Sequence, residues 1–158
     1  MKQQSAVERP SDRELVVSRT IDAPARLVYE AWTKPELFRR WWVPKAAPIT
    51  LLSCELDVRV GGTYRLVFSA GAQEMAFFGR YLEVTPRERI VWTNEEDGAD
   101  AAAVTTVTFA ERDGKTLVTV HDLYPSKEAL DAAIASGSTE GMPAQLGQLD
   151  EFLATPPT

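Results

Sequence analysis

The chain has very little of the residues that most often carry chemistry. Its 158 residues include one cysteine, Cys54, and one histidine, His121. A single cysteine excludes an intrachain disulfide and suits a reducing compartment, so a cytoplasmic location is the expectation. One histidine and one cysteine at unrelated positions cannot write a zinc site, and the carboxylates follow no calcium-loop spacing. No metal or other cofactor is expected. No nucleophile-elbow motif occurs, which argues against a serine–histidine–acid triad. No apolar run reaches the roughly 18 residues of a membrane span. The first stretch, Met1 to Arg13, lacks the apolar core of a secretory signal and reads as a flexible leader.

Positive charge is also scarce. Lys and Arg number 17 against 23 Asp and Glu, for a net charge of −6. The one tight basic cluster is Arg39-Arg40, so neither nucleic acid nor an anionic membrane is an expected partner. Nothing in the sequence decides between a monomer and a homodimer.

What is present is an ordinary apolar fraction, 44 %, on a chain long enough for one core. Glu14 to Ile21 is rich in β-branched residues and predicts a strand. Pro24 and Pro35 each start a helix, since the missing N–H costs nothing there. Leu27, Val28, Ala31 and Trp32 share one helical face, and Leu37, Phe38, Trp41 and Trp42 repeat that spacing until Pro44. From Thr50 the period becomes two. Strands are predicted near 50–58, 62–70, 74–85, 89–96, 102–112 and 115–124, separated by Gly61-Gly62, Gly71, Pro86, Gly98 and Asp113-Gly114. Such short connections make an antiparallel meander. After Pro125, Ser126 caps a helix that Gly137 stops. A last helix runs from about 139 to 154, with Met142, Leu146, Leu149 and Leu153 on one stripe. Residues 14–154 thus read as one domain and 155–158 as a frayed tail.

This order of elements resembles the helix-grip fold of the START-like (SRPBCC) superfamily. Three segments sharpen the likeness: Phe38-Arg39-Arg40-Trp41-Trp42-Val43-Pro44, the strand and turn from Cys54 to Gly62, and the hairpin from Gly79 to Val91. Together they resemble the branch named after the activator of the ninety-kilodalton heat-shock protein ATPase. The resemblance implies an α+β fold in which a curved antiparallel sheet wraps around a long C-terminal helix, with two short helices after the first strand. It also implies an apolar cavity between sheet and helix. Gly141-Met142 departs from the Gly-Trp that relatives often carry there.

The cavity wall expected from this analogy includes Trp41 and Trp42, then Tyr64, Leu66 and Phe68 on one strand. It continues with Phe78, Arg80, Trp92 and His121, and closes with Met142, Leu146 and Leu149 from the last helix. Arg80 and His121 are the polar candidates. His121 shares strand parity with Leu117, Thr119 and Leu123, and histidine titrates near neutrality. Asp122 then points to the opposite face and cannot orient it. Cys54 reads as a small buried hydrophobe, and Glu55, Asp57 and Arg59 as a solvated face. The leading reading is a module that binds an apolar or aromatic small molecule. A cyclase- or hydrolase-type enzyme using the same cavity, and a stress-related, co-chaperone-like interaction protein, are the alternatives.

Overall fold

Alternation along the second half of the chain becomes one antiparallel sheet in the computed structural model, which describes residues 5–45, 48–95, 103–135 and 141–154. The strands are β1 (Ala6–Ser11), β2 (Glu14–Ile21), β3 (Thr50–Leu56), β4 (Thr63–Ala70), β5 (Gln73–Thr85), β6 (Arg89–Asn94), β7 (Ala103–Arg112) and β8 (Lys115–Leu123). The helices are α1 (Ala25–Thr33), α2 (Pro35–Phe38), α3 (Lys127–Ala135) and α4 (Gly141–Ala154). The sheet order is β1-β2-β8-β7-β6-β5-β4-β3. The α+β helix-grip architecture read from the sequence is the one observed: a curved antiparallel sheet against a long C-terminal helix.

Two local readings need correction. The leader is not all leader: Ala6–Ser11 forms the exposed edge strand β1, with Val7 opposite Val17 of β2. Backbone pairing holds it there without an apolar face, and Pro10 sits on an edge strand as proline must. The second helix is also shorter than its apolar spacing suggests. It ends at Phe38, and the chain continues in turns, with Trp41 N–H donating to the Phe38 carbonyl at 3.3 Å. The carbonyls of Trp41, Trp42 and Val43 accept from glutamine side chains of α4 instead of from helical N–H groups. The readings at 1–4, Gly98, Gly137 and 155–158, and the expected strand and helix ends at 96, 102 and 139, lie outside the described residues.

β5 changes partner along its length. Its first part, 73–80, pairs with β4, and its last part, from Tyr81, pairs with β6. At the change of partner the β6 backbone approaches Gly79 so closely that an added Cβ would lie 1.9 Å from the Thr93 carbonyl oxygen. Only glycine permits that approach. The β7–β8 hairpin closes through Asp113 and Gly114, both with positive φ, as Asp-Gly predicts.

α4 lies across the inner face of the sheet. Leu146 and Leu149 are fully buried, while Met142 and Leu153 pack partly exposed against the core. One end of α4 is tied to β2 by the Arg19–Asp150 ion pair at 3.2 Å. Glu111 of β7 accepts from the first N–H of α1 at 2.6 Å, and Ser126 Oγ caps α3 through Ala129 N–H. No helix among the described residues is long and apolar enough to cross a membrane.

Candidate functional site

Successive side chains of β4 to β8 point to opposite faces, so one face of the sheet collects Tyr64, Leu66, Phe68, Met75, Phe77, Tyr81, Trp92, Asn94, Thr105 and Asp122. Opposite them stand Trp32 of α1, Phe38 of α2, Trp42, and Gly141, Met142 and Gln145 of α4. The space between is a cavity of about 530 Å³.

All four tryptophans belong to one cluster beside it. Trp32 packs against Trp41, Trp42 and Trp92, with ring centroids 4.7, 5.9 and 5.8 Å away. Its Nε1 is buried and has no hydrogen-bond partner among the described residues. Such an orphan donor costs about 1–3 kcal/mol, so the cluster trades polar satisfaction for aromatic packing.

The polar end of the cavity is a directed chain across three strands. Trp92 Nε1 can only donate, and it faces Asn94 Oδ1 at 3.3 Å. That fixes the Asn94 amide, whose nitrogen donates to Thr105 Oγ1 at 2.7 Å. Thr105 Oγ1 donates in turn to Asp122 Oδ1 at 2.5 Å. Burial raises the Asp122 carboxyl above its ordinary range, against the opposing pull of the Thr105 hydrogen bond and of His121. The Tyr64 and Tyr81 hydroxyls are raised chiefly by burial too, so both stay neutral. Tyr64 OH donates to the Thr93 carbonyl at 2.7 Å.

The expected wall divides in two. Trp42, Tyr64, Leu66, Phe68, Trp92 and Met142 line the cavity. Trp41, Leu146 and Leu149 do not: each is fully buried in the core, and Trp41 Nε1 donates to the Ala31 carbonyl at 3.0 Å. Phe78 and Arg80 are also absent from the wall, because Phe77 and Tyr81 take the inner parity of β5. The Arg80 side chain is 63 % exposed and pairs with Glu95 at 3.6 Å. His121 sits on the outer face, where its Nε2 meets Glu14 Oε2 at 2.6 Å. That hydrogen bond holds the Glu14 carboxyl below its ordinary range, with help from Ser11.

Asp122 is therefore the cavity's ionisable group, not His121. The signal was the parity of Thr116, Val118 and Val120, all buried, with which Asp122 is in phase. Thr105 is in phase with Val107 and Phe109 in the same way. Cys54 is half-buried, and burial pushes its thiol up to about 11, which leaves it unreactive. Among the described residues no three His, Cys, Asp or Glu side chains gather where they could hold a metal ion.

A family described as activator of Hsp90 ATPase homolog 1-like protein matches residues 22–154. The chain belongs to that family. The match takes in α1 to α4 and every strand that lines the cavity. Solved structures agree over nearly the whole chain. A protein of Chromobacterium violaceum is 31 % identical, with a TM-score of 0.74 over 88 % of this chain and 96 % of that one. A protein of Nitrosomonas europaea is 25 % identical, with a TM-score of 0.82 over 92 % and 97 %. A Staphylococcus epidermidis protein is 28 % identical, with a TM-score of 0.78 over 94 % and 93 %. No curated protein matches the sequence significantly.

Proposed function

We propose that this family member binds an apolar or aromatic small molecule between its sheet and the N-terminal turns of α4. The carrying observation is the cavity itself. At about 530 Å³ it falls within the roughly 300–1,000 Å³ typical of ligand sites, and such sites pair an apolar wall with few polar groups. Here the wall is mainly apolar and rich in aromatic rings, and the polar chain ending at Asp122 supplies the orienting groups. Trp32, Trp42 and Trp92 line it, so a ligand that displaces water changes the surroundings of three indoles.

The test combines native mass spectrometry of the purified protein with tryptophan fluorescence titration against aromatic and acyl compounds. A retained small molecule, or a saturable change in emission, is the expected result. Neither a retained mass nor a change with any compound would overturn the reading and favour an interaction protein.

A further inference from the structure

We propose that the cavity selects a protonated amine carried on an apolar or aromatic skeleton, with Asp122 as its counter-charge. The inference rests on the binding reading above and names its ligand class. Its ground is an imbalance of charge. Among the described lining residues there is one carboxyl group and no Lys, Arg or His. The hydrogen-bond partner of Asp122 is a neutral hydroxyl, that of Thr105. The nearby base, His121, lies on the other face of β8 and is engaged by Glu14.

The hydrogen bonding also leaves room for a cation. The chain from Trp92 through Asn94 and Thr105 delivers its last proton to Oδ1. The second carboxylate oxygen has no partner among the described residues. A carboxylate in such a place is costly unless an opposite charge joins it. An ammonium group supplies that charge and donates to the open oxygen. Trp42, Trp92, Tyr64 and Tyr81 line the same space, and aromatic rings attract a cation. A carboxylic acid ligand would meet like charge, and an alcohol would gain a hydrogen bond without compensating the carboxylate.

The experiment is isothermal titration calorimetry near neutral pH with phenylbutylamine, phenylbutanol and phenylbutyrate, which share a skeleton and differ in charge. The intact protein is expected to bind the amine at least ~10-fold more tightly than the alcohol, as hydrogen bonds to charged groups imply, and the acid most weakly. In Asp122→Asn the amine should lose its advantage over the alcohol. Equal binding of amine and alcohol to the wild-type protein, or an amine preference that survives in Asp122→Asn, overturns the inference and leaves the binding reading standing. No binding of any of the three overturns the inference, and the binding reading then falls only if the wider panel also fails. Should Asp122→Asn not fold, the wild-type ranking and Asp122→Ser decide the matter by the same criteria.

Discussion

The rings of Trp41 and Trp42 cross at 76° with centroids 5.5 Å apart, and the two residues have different tasks. Trp41 is sealed in the core, whereas Trp42 stacks on Phe38 at 4.5 Å and faces the cavity. Adjacent residues beyond a helix end cannot share one direction, and what holds them apart is α4. Gln145 Nε2 donates to the Trp42 carbonyl at 2.6 Å, and Gln148 Nε2 to the Trp41 and Val43 carbonyls at 2.8 Å each. Gln148 Oε1 also accepts from Lys45 N–H at 2.7 Å. Two glutamines thus latch the tryptophan segment over the cavity.

Gln148→Ala should loosen that latch. It strands the Trp41 and Val43 carbonyls in a partly buried place, while the exposed Lys45 N–H can turn to water. The expected cost is about 1–3 kcal/mol, read by urea denaturation. Tryptophan emission of the folded variant should shift, because the backbone on either side of Trp42 is released while Gln145 alone still holds its carbonyl. An unchanged midpoint would mean that water replaces the amide without loss.

Gly79 and Gly114 should respond differently to alanine. At Gly79 the added Cβ meets the Thr93 carbonyl oxygen, so β5 and β6 must separate. The cost should reach about 3 kcal/mol, the upper part of the overpacking range. At Gly114 nothing lies within 4 Å and only the positive φ of 78° opposes the change, at about 1–2 kcal/mol. Chemical denaturation of both variants checks the order. Equal losses would show that β5 can flatten.

Met142→Trp should fill space. Met142 lines the cavity and is only partly buried, so a larger side chain has room to enter. Filling it should stabilise by about 0.5–2 kcal/mol and weaken bulky aromatic ligands in a fluorescence titration. A loss of stability would mean that the indole is forced into packed side chains.

The sequence carried the sheet and the last helix well, because period-two runs and the Met142, Leu146, Leu149, Leu153 stripe record burial directly. It carried the cavity unevenly. Tyr64, Leu66 and Phe68 were legible because they share one parity of a strand whose other parity carries Thr63, Arg65 and Ser69. Leu146 and Leu149 belong to the same stripe as Met142, yet only α4's first turns border the open space, a distinction that helix periodicity does not encode. Arg80 and His121 drew attention by residue type. For Arg80, the two parities of β5 are both apolar, and the choice depends on Gly79 at the bend. For His121, the parity was available: the opposite face of β8 carries Thr116, Val118 and Val120, and Asp122 with them. The Gln145 and Gln148 latches had no sequence signal, since their partners are backbone carbonyls 103 to 107 residues away.

Asp122→Asn should raise stability at neutral pH. The folded protein holds the Asp122 proton more tightly than the unfolded chain, whose carboxyl takes the ordinary value of 3.8. Below that value both states are protonated and the carboxyl costs nothing. As pH rises from there toward the raised folded value, the unfolded chain gives up its proton first. It therefore binds fewer protons than the native state, and stability falls with pH. Above the folded value the loss is complete and constant. Asparagine keeps an acceptor for Thr105 and never ionises, so it escapes this loss. Melting temperatures of the two proteins should coincide in acid and separate toward neutrality, with the variant higher. A wild-type protein that is the more stable one at neutral pH would show that the carboxylate is compensated within the fold, and Asp122 would then have no charge left to offer a ligand.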